Sequence, residues 1–142
     1  MAIKISEFLK PKAIIMDIKS KGKIEAIQEL VDHMVAHKFV KDGEEFLKAL
    51  AKRENLESTG IGNGIAIPHA RTDAVKDVLL AFARSADGVD FSSIDGKPSY
   101  LIFLIASPEK KKSYSRFCFR SVVQCHTPNS RAEPHWLALE FR

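Results

Sequence analysis

The chain has 142 residues, of which 45% are hydrophobic, and a formal net charge of +4 at pH 7. This length suits one domain with a buried core, and no apolar run approaches the roughly 18 residues that span a bilayer. The N-terminus lacks the apolar segment of a signal peptide, so we expect a cytoplasmic protein with no direct membrane insertion. Basic residues are dispersed along the chain, and the lysine run at 110–112 is the one basic cluster. This dispersion argues against nucleic-acid binding.

Local patterns predict the elements of the first part of the chain. Residues 6–9 are expected to form a short helical turn that Pro11 stops, and residues 13–17 a buried strand. Ser20 is the expected N-cap of a helix that runs to about His37. Its apolar stripe recurs at helical spacing and comprises Ile24, Ile27, Val31 and Met34.

A second helix is predicted to begin after Asp42. Asp42 is its expected cap, with Glu45 three residues further on as in a capping box. The apolar face consists of Phe46, Ala49 and Leu50. We expect this helix to deliver Arg53 and to end near Asn55.

The second half of the chain is expected to be mostly strand. Residues 65–67, 78–83 and 100–106 are apolar runs of strand length that predict burial on both faces. Asp87-Gly88 and Asp95-Gly96 are turn dipeptides. Helices before strands predict an α/β fold, in which the helices pack on a largely buried sheet within a single domain.

One segment concentrates the residues that carry chemistry. Its glycines at 60, 62 and 64 allow tight bending and expose backbone N–H groups. Pro68 interrupts strand pairing and fixes the direction in which the next residue leaves. That residue is His69, a neutral imidazole near pH 7 and a competent nitrogen nucleophile. A loop rich in N–H groups beside a rigidly presented histidine suits a group that briefly carries phosphate.

Residues 58–71 closely resemble the phosphorylation-site motif of the fructose/mannitol-type (type 2) IIA domains of the bacterial sugar phosphotransferase system, including their nitrogen-regulatory relatives. The resemblance covers about residues 3–110 and includes Arg53-Glu54, residues 87–91, residues 95–98 and the strand that ends in Ser107-Pro108-Glu109. It implies a mixed central β-sheet flanked by helices, phosphotransferase activity through a phosphohistidine carrier intermediate, and no cofactor.

The resemblance also implies roles for individual residues. His69 would accept the phosphoryl group on Nε2, while a neighbouring acceptor fixes Nδ1–H. Arg53 would offer two parallel N–H donors to phosphoryl oxygens, and the alternative is an exposed arginine that complements the helix dipole. Phosphate contacts are expected from five residues of the glycine loop: Thr59, Gly60, Gly62, Asn63 and Gly64. The alternative role of these residues is to form a turn that needs permissive backbone angles.

The leading hypothesis for function is a phosphoryl-carrier IIA component. It would accept phosphate from phospho-HPr on His69 and pass it to a IIB component of a sugar permease. The first alternative is a nitrogen-type regulatory IIA protein that signals by its phosphorylation state. The second, from another class, is a module that binds phosphate or a nucleotide non-covalently through the glycine loop.

Other histidines and cysteines do not predict a metal site. His33 and His37 have the i, i+4 spacing of a ligand pair, but no further ligand pattern completes it. Four residues near the C-terminus match no zinc module: Cys118, Cys125, His126 and His135. The family often places a second histidine after the Ser-Pro-Glu element, and residues 110–116 contain none.

The composition changes after Lys112. Residues 1–112 contain 15 lysines and 13 isoleucines, whereas residues 113–142 contain neither and hold both cysteines and the only tryptophan. We therefore assign residues 1–112 to a IIA-type domain and residues 113–142 to an atypical C-terminal tail outside the family pattern. Our interpretation is that the tail is translated out of frame after a slip at the lysine codons 110–112, and a divergent natural terminus is the alternative. A single clean reading frame through those codons would contradict the frame slip.

Overall fold

A computed structural model of the chain describes residues 5–110. A short 3₁₀ helix at Ile5–Glu7 precedes β1 (Leu9–Ile15), α1 (Lys23–Ala36), α2 (Gly43–Glu54), β2 (Gly60–Gly62), β3 (Ile65–Ala66), β4 (His69–Arg71), β5 (Leu79–Val89) and β6 (Ser99–Ser107). The predictions for the tail, including those for its cysteines and histidines, lie outside the described residues.

The strands form one mixed sheet of six strands. Their order is β1-β5-β6-β3-β2, and β4 also pairs with β6. β1 is parallel to β5, β5 is antiparallel to β6, and β3 and β4 are both parallel to β6. The expected α/β fold with a mixed central sheet is therefore confirmed.

The two faces of the sheet bury different sets of side chains. On one face, Ile102 and Leu104 of β6 pack in the same cluster as Leu30 of α1 and Leu50 of α2. On the other face, Ile105 packs with the buried residues Ile65, Ile67, Val78 and Leu80. This division follows from strand geometry, because successive side chains point to opposite faces. Neither helix of residues 5–110 has the length and hydropathy that crossing a bilayer requires.

The start of α1 differs from the prediction. Its N-cap is Gly22, without a side-chain hydrogen bond, and not Ser20. The Ser20 hydroxyl instead donates to Oε2 of Glu29 at 2.6 Å, and its N–H donates to the same oxygen at 3.1 Å. The apolar stripe is also shifted, because Ile24 is 61% exposed whereas Ile27, Val31 and Met34 are buried as expected.

The predicted N-cap and C-terminal end of α2 are confirmed, whereas Oε1 of Glu45 accepts the hydroxyl of Thr72 at 3.0 Å. Oδ1 of Asp42 accepts a hydrogen bond from the N–H of Glu45 at 3.0 Å, which satisfies one of the unpaired donors of the first helical turn. Phe46 and Leu50 are fully buried. The helix ends at Glu54 with Asn55 as its C-cap, so Arg53 lies in the last turn.

Two further boundaries differ from the sequence prediction. Pro11 does not stop an opening helix but lies within β1, which begins at Leu9. The dipeptide Asp87-Gly88 lies inside β5, where the register with β6 shifts between Arg84 and Val89. Gly88 has φ +87°, and a Cβ there would lie 2.8 Å from Cβ of Pro98. This dipeptide is therefore an irregularity within a strand, not a turn between strands.

Candidate functional site

His69 is presented by an almost continuous strand beside β6. Ile65 of β3 pairs with Leu101, and His69 of β4 pairs with Ile105, so the register of the parallel pairing is unchanged across Pro68. The carbonyl of Pro68 still accepts the N–H of Ile105 at 3.0 Å. Pro68 therefore interrupts the ladder only through its missing donor, and the backbone of His69 is held beside the central strand β6.

The side chain of His69 is oriented by its own strand. Nδ1 lies 2.8 Å from the carbonyl oxygen of Ile67. A carbonyl can only accept a hydrogen bond, so Nδ1 carries the proton in this pair. In the neutral ring the lone pair then belongs to Nε2, which makes Nε2 the nucleophilic atom.

Two arginines act on His69 electrostatically. The pKa of His69 is lowered from 6.5 to about 4, mainly by burial of the ring and further by the positive charges of Arg53 and Arg71, while the bond to Ile67 opposes the shift. The ring is therefore uncharged at neutral pH. A neutral imidazole beside two guanidinium groups can attack an electrophile and then bind the anionic group that it has acquired.

We expect this pKa to appear directly in a titration. The ring signals of His69 followed by NMR should titrate near pH 4, and Arg53→Gln should raise the midpoint because one positive charge is removed. Between pH 6.5 and about 4 the unfolded chain binds more protons at this residue than the folded chain does. His69 therefore contributes stability that is present above pH 6.5 and is lost as the pH falls toward 4. A midpoint at or above 6.5 in the folded protein would contradict this account of the site.

Arg53 is partly buried in the last turn of α2. Its Nη1 donates to the carbonyl oxygen of Glu57 at 2.7 Å. Burial lowers the pKa of Arg53, and the charges of Glu54 and Glu57 oppose that shift. The guanidinium nevertheless stays protonated at neutral pH. Its position is thus set by a local carbonyl, and its charge is felt at His69.

Arg71 is a candidate site residue that the sequence analysis did not single out. It lies two residues after His69 on β4 and is partly buried. Residues two apart on a strand share a face, and the charge of Arg71 lowers the pKa of His69. The signal was present in the sequence, because an arginine at this spacing on a strand presents its side chain beside the histidine.

Thr59 and Gly60 lie beside the segment that leads to His69, but their polar groups form hydrogen bonds within the protein. The carbonyl of Thr59 accepts the N–H of Ile67 at 2.9 Å. The Thr59 hydroxyl and N–H both donate to the carboxylate of Glu54. The N–H of Gly60 donates to Oγ of Ser58 at 3.1 Å, and a Cβ at Gly60 would lie 2.3 Å from Oγ of Ser93. Close packing against Ser93 therefore accounts for a glycine at position 60.

The structure does not bring Gly62, Asn63 and Gly64 to His69. These residues form the turn between β2 and β3, with φ between 55° and 87°, and the carbonyl of Gly64 accepts the N–H groups of Tyr100 and Leu101 at 2.7 and 3.0 Å. His69 instead pairs with Ile105, four residues further along β6, or about 13 Å at ~3.3 Å per residue. The N–H of Asn63 donates to Oδ2 of Asp95 at 3.0 Å.

A buried hydroxyl without a hydrogen-bond partner among residues 5–110 lies on the strand beside the two site residues of β4. Ser107 pairs with Arg71 across β4 and β6. Within residues 5–110 its Oγ is the one buried side-chain oxygen or nitrogen for which no hydrogen-bond partner is found, and the residue is 1% exposed. Such a group is unusual in a folded protein and destabilises it.

Replacing Ser107 should therefore stabilise the protein. We expect Ser107→Ala to raise the free energy of unfolding by about 1 kcal/mol, because the cost of burying an unpaired hydroxyl is removed. Urea unfolding of the full chain measures this difference. Ser85→Ala is the control, since Oγ of Ser85 accepts the N–H of Gly88 at 3.0 Å and its loss should destabilise. A destabilising effect of Ser107→Ala would mean that the hydroxyl has a partner.

The other histidines of the described residues lie on α1, where His33 belongs to the last turn and His37 is the C-cap. Nε2 of His33 lies 2.8 Å from the carbonyl oxygen of Lys12, and the two rings are 4.4 Å apart. In residues 5–110 no group of three or more histidine, cysteine, aspartate or glutamate residues is placed to hold a metal ion.

Comparison with known proteins places this fold and site in a family. The family model described as "Phosphoenolpyruvate-dependent sugar phosphotransferase system, EIIA 2" matches residues 7–125. The fructose-specific EIIABC component of Bacillus subtilis (strain 168) is 44% identical over 107 residues, which are 75% of this chain and 17% of that protein. The fructose-specific EIIA component of Haloferax volcanii is 49% identical over 83 residues, or 58% of this chain and 54% of that protein.

A solved structure supports the same assignment. The nitrogen regulatory protein IIA-Ntr from Neisseria meningitidis superposes with a TM-score of 0.73 at 31% identity, covering 85% of this chain and 80% of that one. The chain therefore spans about half or less of the two curated fructose-specific relatives and most of the solved regulatory protein. From the family match and these likenesses, the chain belongs to the EIIA 2 family of the phosphoenolpyruvate-dependent sugar phosphotransferase system.

Proposed function

We propose that the protein is a phosphoryl carrier that accepts a phosphoryl group on Nε2 of His69 and passes it to a second protein. The observation that carries this proposal is the state of the His69 ring. It is neutral at pH 7, its Nδ1–H donates to Ile67, and two guanidinium groups lie close enough to lower its pKa. A nitrogen nucleophile that must hold and release an anion needs this combination.

The transfer step requires no proton movement at His69. The lone pair of Nε2 attacks the phosphorus of a donor phosphohistidine, the donor N–P bond breaks, and its electron pair returns to the donor imidazole. The phosphorylated ring of His69 keeps Nδ1–H and takes the imidazolium charge, which the Ile67 carbonyl stabilises. Transfer onward to the acceptor follows the same course, with His69 as the leaving group.

Arg53 and Arg71 would hold the oxygens of the phosphoryl group. Phosphoryl transfer places negative charge on three equatorial oxygens, and catalysis consists largely of positioning and charge stabilisation. A guanidinium offers a rigid pair of donors to such oxygens. HPr is the proposed donor, and a IIB component is the proposed acceptor, as the EIIABC name of the Bacillus subtilis relative suggests.

Labelling tests the proposal. The purified chain would be incubated with phosphoenolpyruvate, enzyme I and HPr, with ³²P in the phosphoenolpyruvate. We expect label that is lost in acid and kept in base, as a phosphoramidate bond requires, and that depends on HPr. Absence of label, or label that survives acid, would overturn the assignment of a phosphohistidine.

A regulatory role is the second candidate, and the likeness to IIA-Ntr favours it. Such a protein would take the label but would not pass it to a sugar-specific IIB protein. A chase of the labelled chain with a fructose-type IIB component separates the two roles. Rapid loss of label to IIB supports the carrier, and retention supports the regulator.

A non-covalent phosphate-binding module has less support from the site. The backbone N–H groups of Thr59, Gly60 and Asn63 donate to Glu54, Ser58 and Asp95, respectively. These donors are therefore already used within the protein. Binding of inorganic phosphate by His69→Ala as tightly as by the unchanged chain would favour this module.

A further inference from the structure

The carboxylate of Glu54 is buried beside the site and has no part in the transfer step described above. Glu54 follows Arg53 at the end of α2 and is 8% exposed. Its Oε2 lies 3.3 Å from Nζ of Lys23 at the start of α1. A buried carboxylate is costly unless it is paired and hydrogen-bonded. Its partners therefore show what it does in the fold.

Glu54 closes the loop that follows α2. Its Oε1 accepts the hydroxyl of Thr59, and its Oε2 lies 3.4 Å from the Thr59 N–H. Residues 55–58 form the loop between these two partners. The carbonyl of Glu57, in the same loop, accepts Nη1 of Arg53 at 2.7 Å. The carboxylate thus holds the loop whose carbonyl orients the Arg53 guanidinium.

The same carboxylate is connected to His69. The carbonyl of Thr59 accepts the N–H of Ile67 at 2.9 Å. The carbonyl of Ile67 in turn lies 2.8 Å from Nδ1 of His69. A continuous series of hydrogen bonds therefore runs from Glu54 through Thr59 and Ile67 to the imidazole. Both the Arg53 and the His69 contacts depend on the closed position of Thr59.

We propose that Glu54 is a positioning residue, whose bonds to Thr59 hold Arg53 and His69 in the geometry that phosphoryl transfer needs. In this role Thr59 acts through the backbone and through Glu54, not through a direct contact of its hydroxyl with phosphate. The inference rests on the proposed function, since transfer is the process for which the positions matter. Lys23 offsets the charge of the buried carboxylate, and this ion pair links the start of α1 to Glu54.

A double-mutant cycle in the full chain tests this inference. Glu54→Gln weakens the acceptor, and Thr59→Val removes the hydroxyl at nearly constant shape. We expect each single change to slow transfer from phospho-HPr about tenfold and the double variant to be no slower than either, because both break the same contact. Thr59→Ser, which keeps the hydroxyl, should restore most of the rate. Multiplied losses in the double variant would overturn the inference, since Thr59 would then have a separate contact.

A matched control separates positioning from general damage. Glu29 of α1 also accepts a serine hydroxyl and backbone N–H groups, those of Lys19 and Ser20, and none of these residues belongs to the series of hydrogen bonds that ends at His69. Glu29→Gln should change transfer little even where it lowers the melting temperature. If Glu54→Gln fails to fold, the comparison of Thr59→Val with Thr59→Ser decides the question, and equal rates for those two would contradict it.

A measurement without phosphate makes the outcome independent of the proposed function. In ¹⁵N spectra of the unphosphorylated chain, Nδ1 and Nε2 of His69 should have the separate shifts of a single tautomer. Thr59→Val should bring the two shifts toward each other, because the Ile67 carbonyl is less well held, and Glu29→Gln should not. If the unchanged chain accepts no phosphate, the proposed function fails. Unaltered ¹⁵N shifts in Thr59→Val would instead overturn the positioning role.

Discussion

His69→Ala should abolish phosphoryl acceptance and leave the fold intact. The variant lacks the nitrogen on which the proposed intermediate forms, so ³²P label from phospho-HPr should fall to background. The fold should survive, because His69 is not fully buried and its Nδ1 hydrogen bond is to a carbonyl only two residues away. Circular dichroism and thermal unfolding at pH 7 measure whether the fold of His69→Ala is intact.

The chain offers a matched control in His37→Ala. His37 is an exposed histidine at the C-terminal end of α1, in ring contact with His33 and Phe39. Its replacement should leave labelling unchanged. Label retained in His69→Ala would move the acceptor to another residue and would remove the basis of the proposed function.

Arg53→Lys should slow phosphoryl transfer by more than tenfold with little change in melting temperature. Lysine keeps the positive charge but loses the pair of parallel donors. One charge-assisted hydrogen bond to a transferring phosphoryl group is worth about 1.5–3 kcal/mol, and 1.4 kcal/mol corresponds to a factor of ten. Stopped-flow or quenched-flow transfer from phospho-HPr measures the rate.

Arg84→Lys is the control for this variant. The Nε of Arg84 donates to the carbonyl of Met16 at 3.1 Å, much as Arg53 donates to Glu57. Arg84 pairs with Leu101, at the opposite end of β6 from the His69 partner Ile105, so its change should not affect transfer. Equal rates for Arg53→Lys and the unchanged chain would leave Arg53 with the role of an ordinary helix-terminal arginine.

Local chemistry made several features predictable from the sequence. Asp42 caps α2 because its acceptor and the N–H of Glu45 lie within one helical turn. The end of α2 at Arg53 and Glu54 follows from the apolar stripe and from the glycine-rich segment beyond it. The sequence also places His69 directly after the apolar run at 65–67 and Pro68, although in the structure His69 begins β4 in the same register and stays in the sheet. Each of these depends on residues within a few positions of one another.

The boundaries that were wrong have long-range causes. Serine is a residue type that often caps helices, yet the hydroxyl of Ser20 donates to Glu29, nine residues away. Proline commonly ends a helix, but Pro11 lies in a strand at the edge of the sheet, which accommodates a residue without an N–H. In both cases the local preference was overridden by a partner that only packing brings within reach.

The sequence by itself indicated His69 as the candidate phosphoryl acceptor and Arg53 as the arginine that precedes it, because these are matters of residue type and spacing. Only the tertiary structure decided how the glycine segment is used. Asp95, 32 residues away, accepts the N–H of Asn63, and Glu54 accepts the hydroxyl of Thr59. The reason is that a backbone donor or a charge has many possible partners in a sequence, and packing selects one of them.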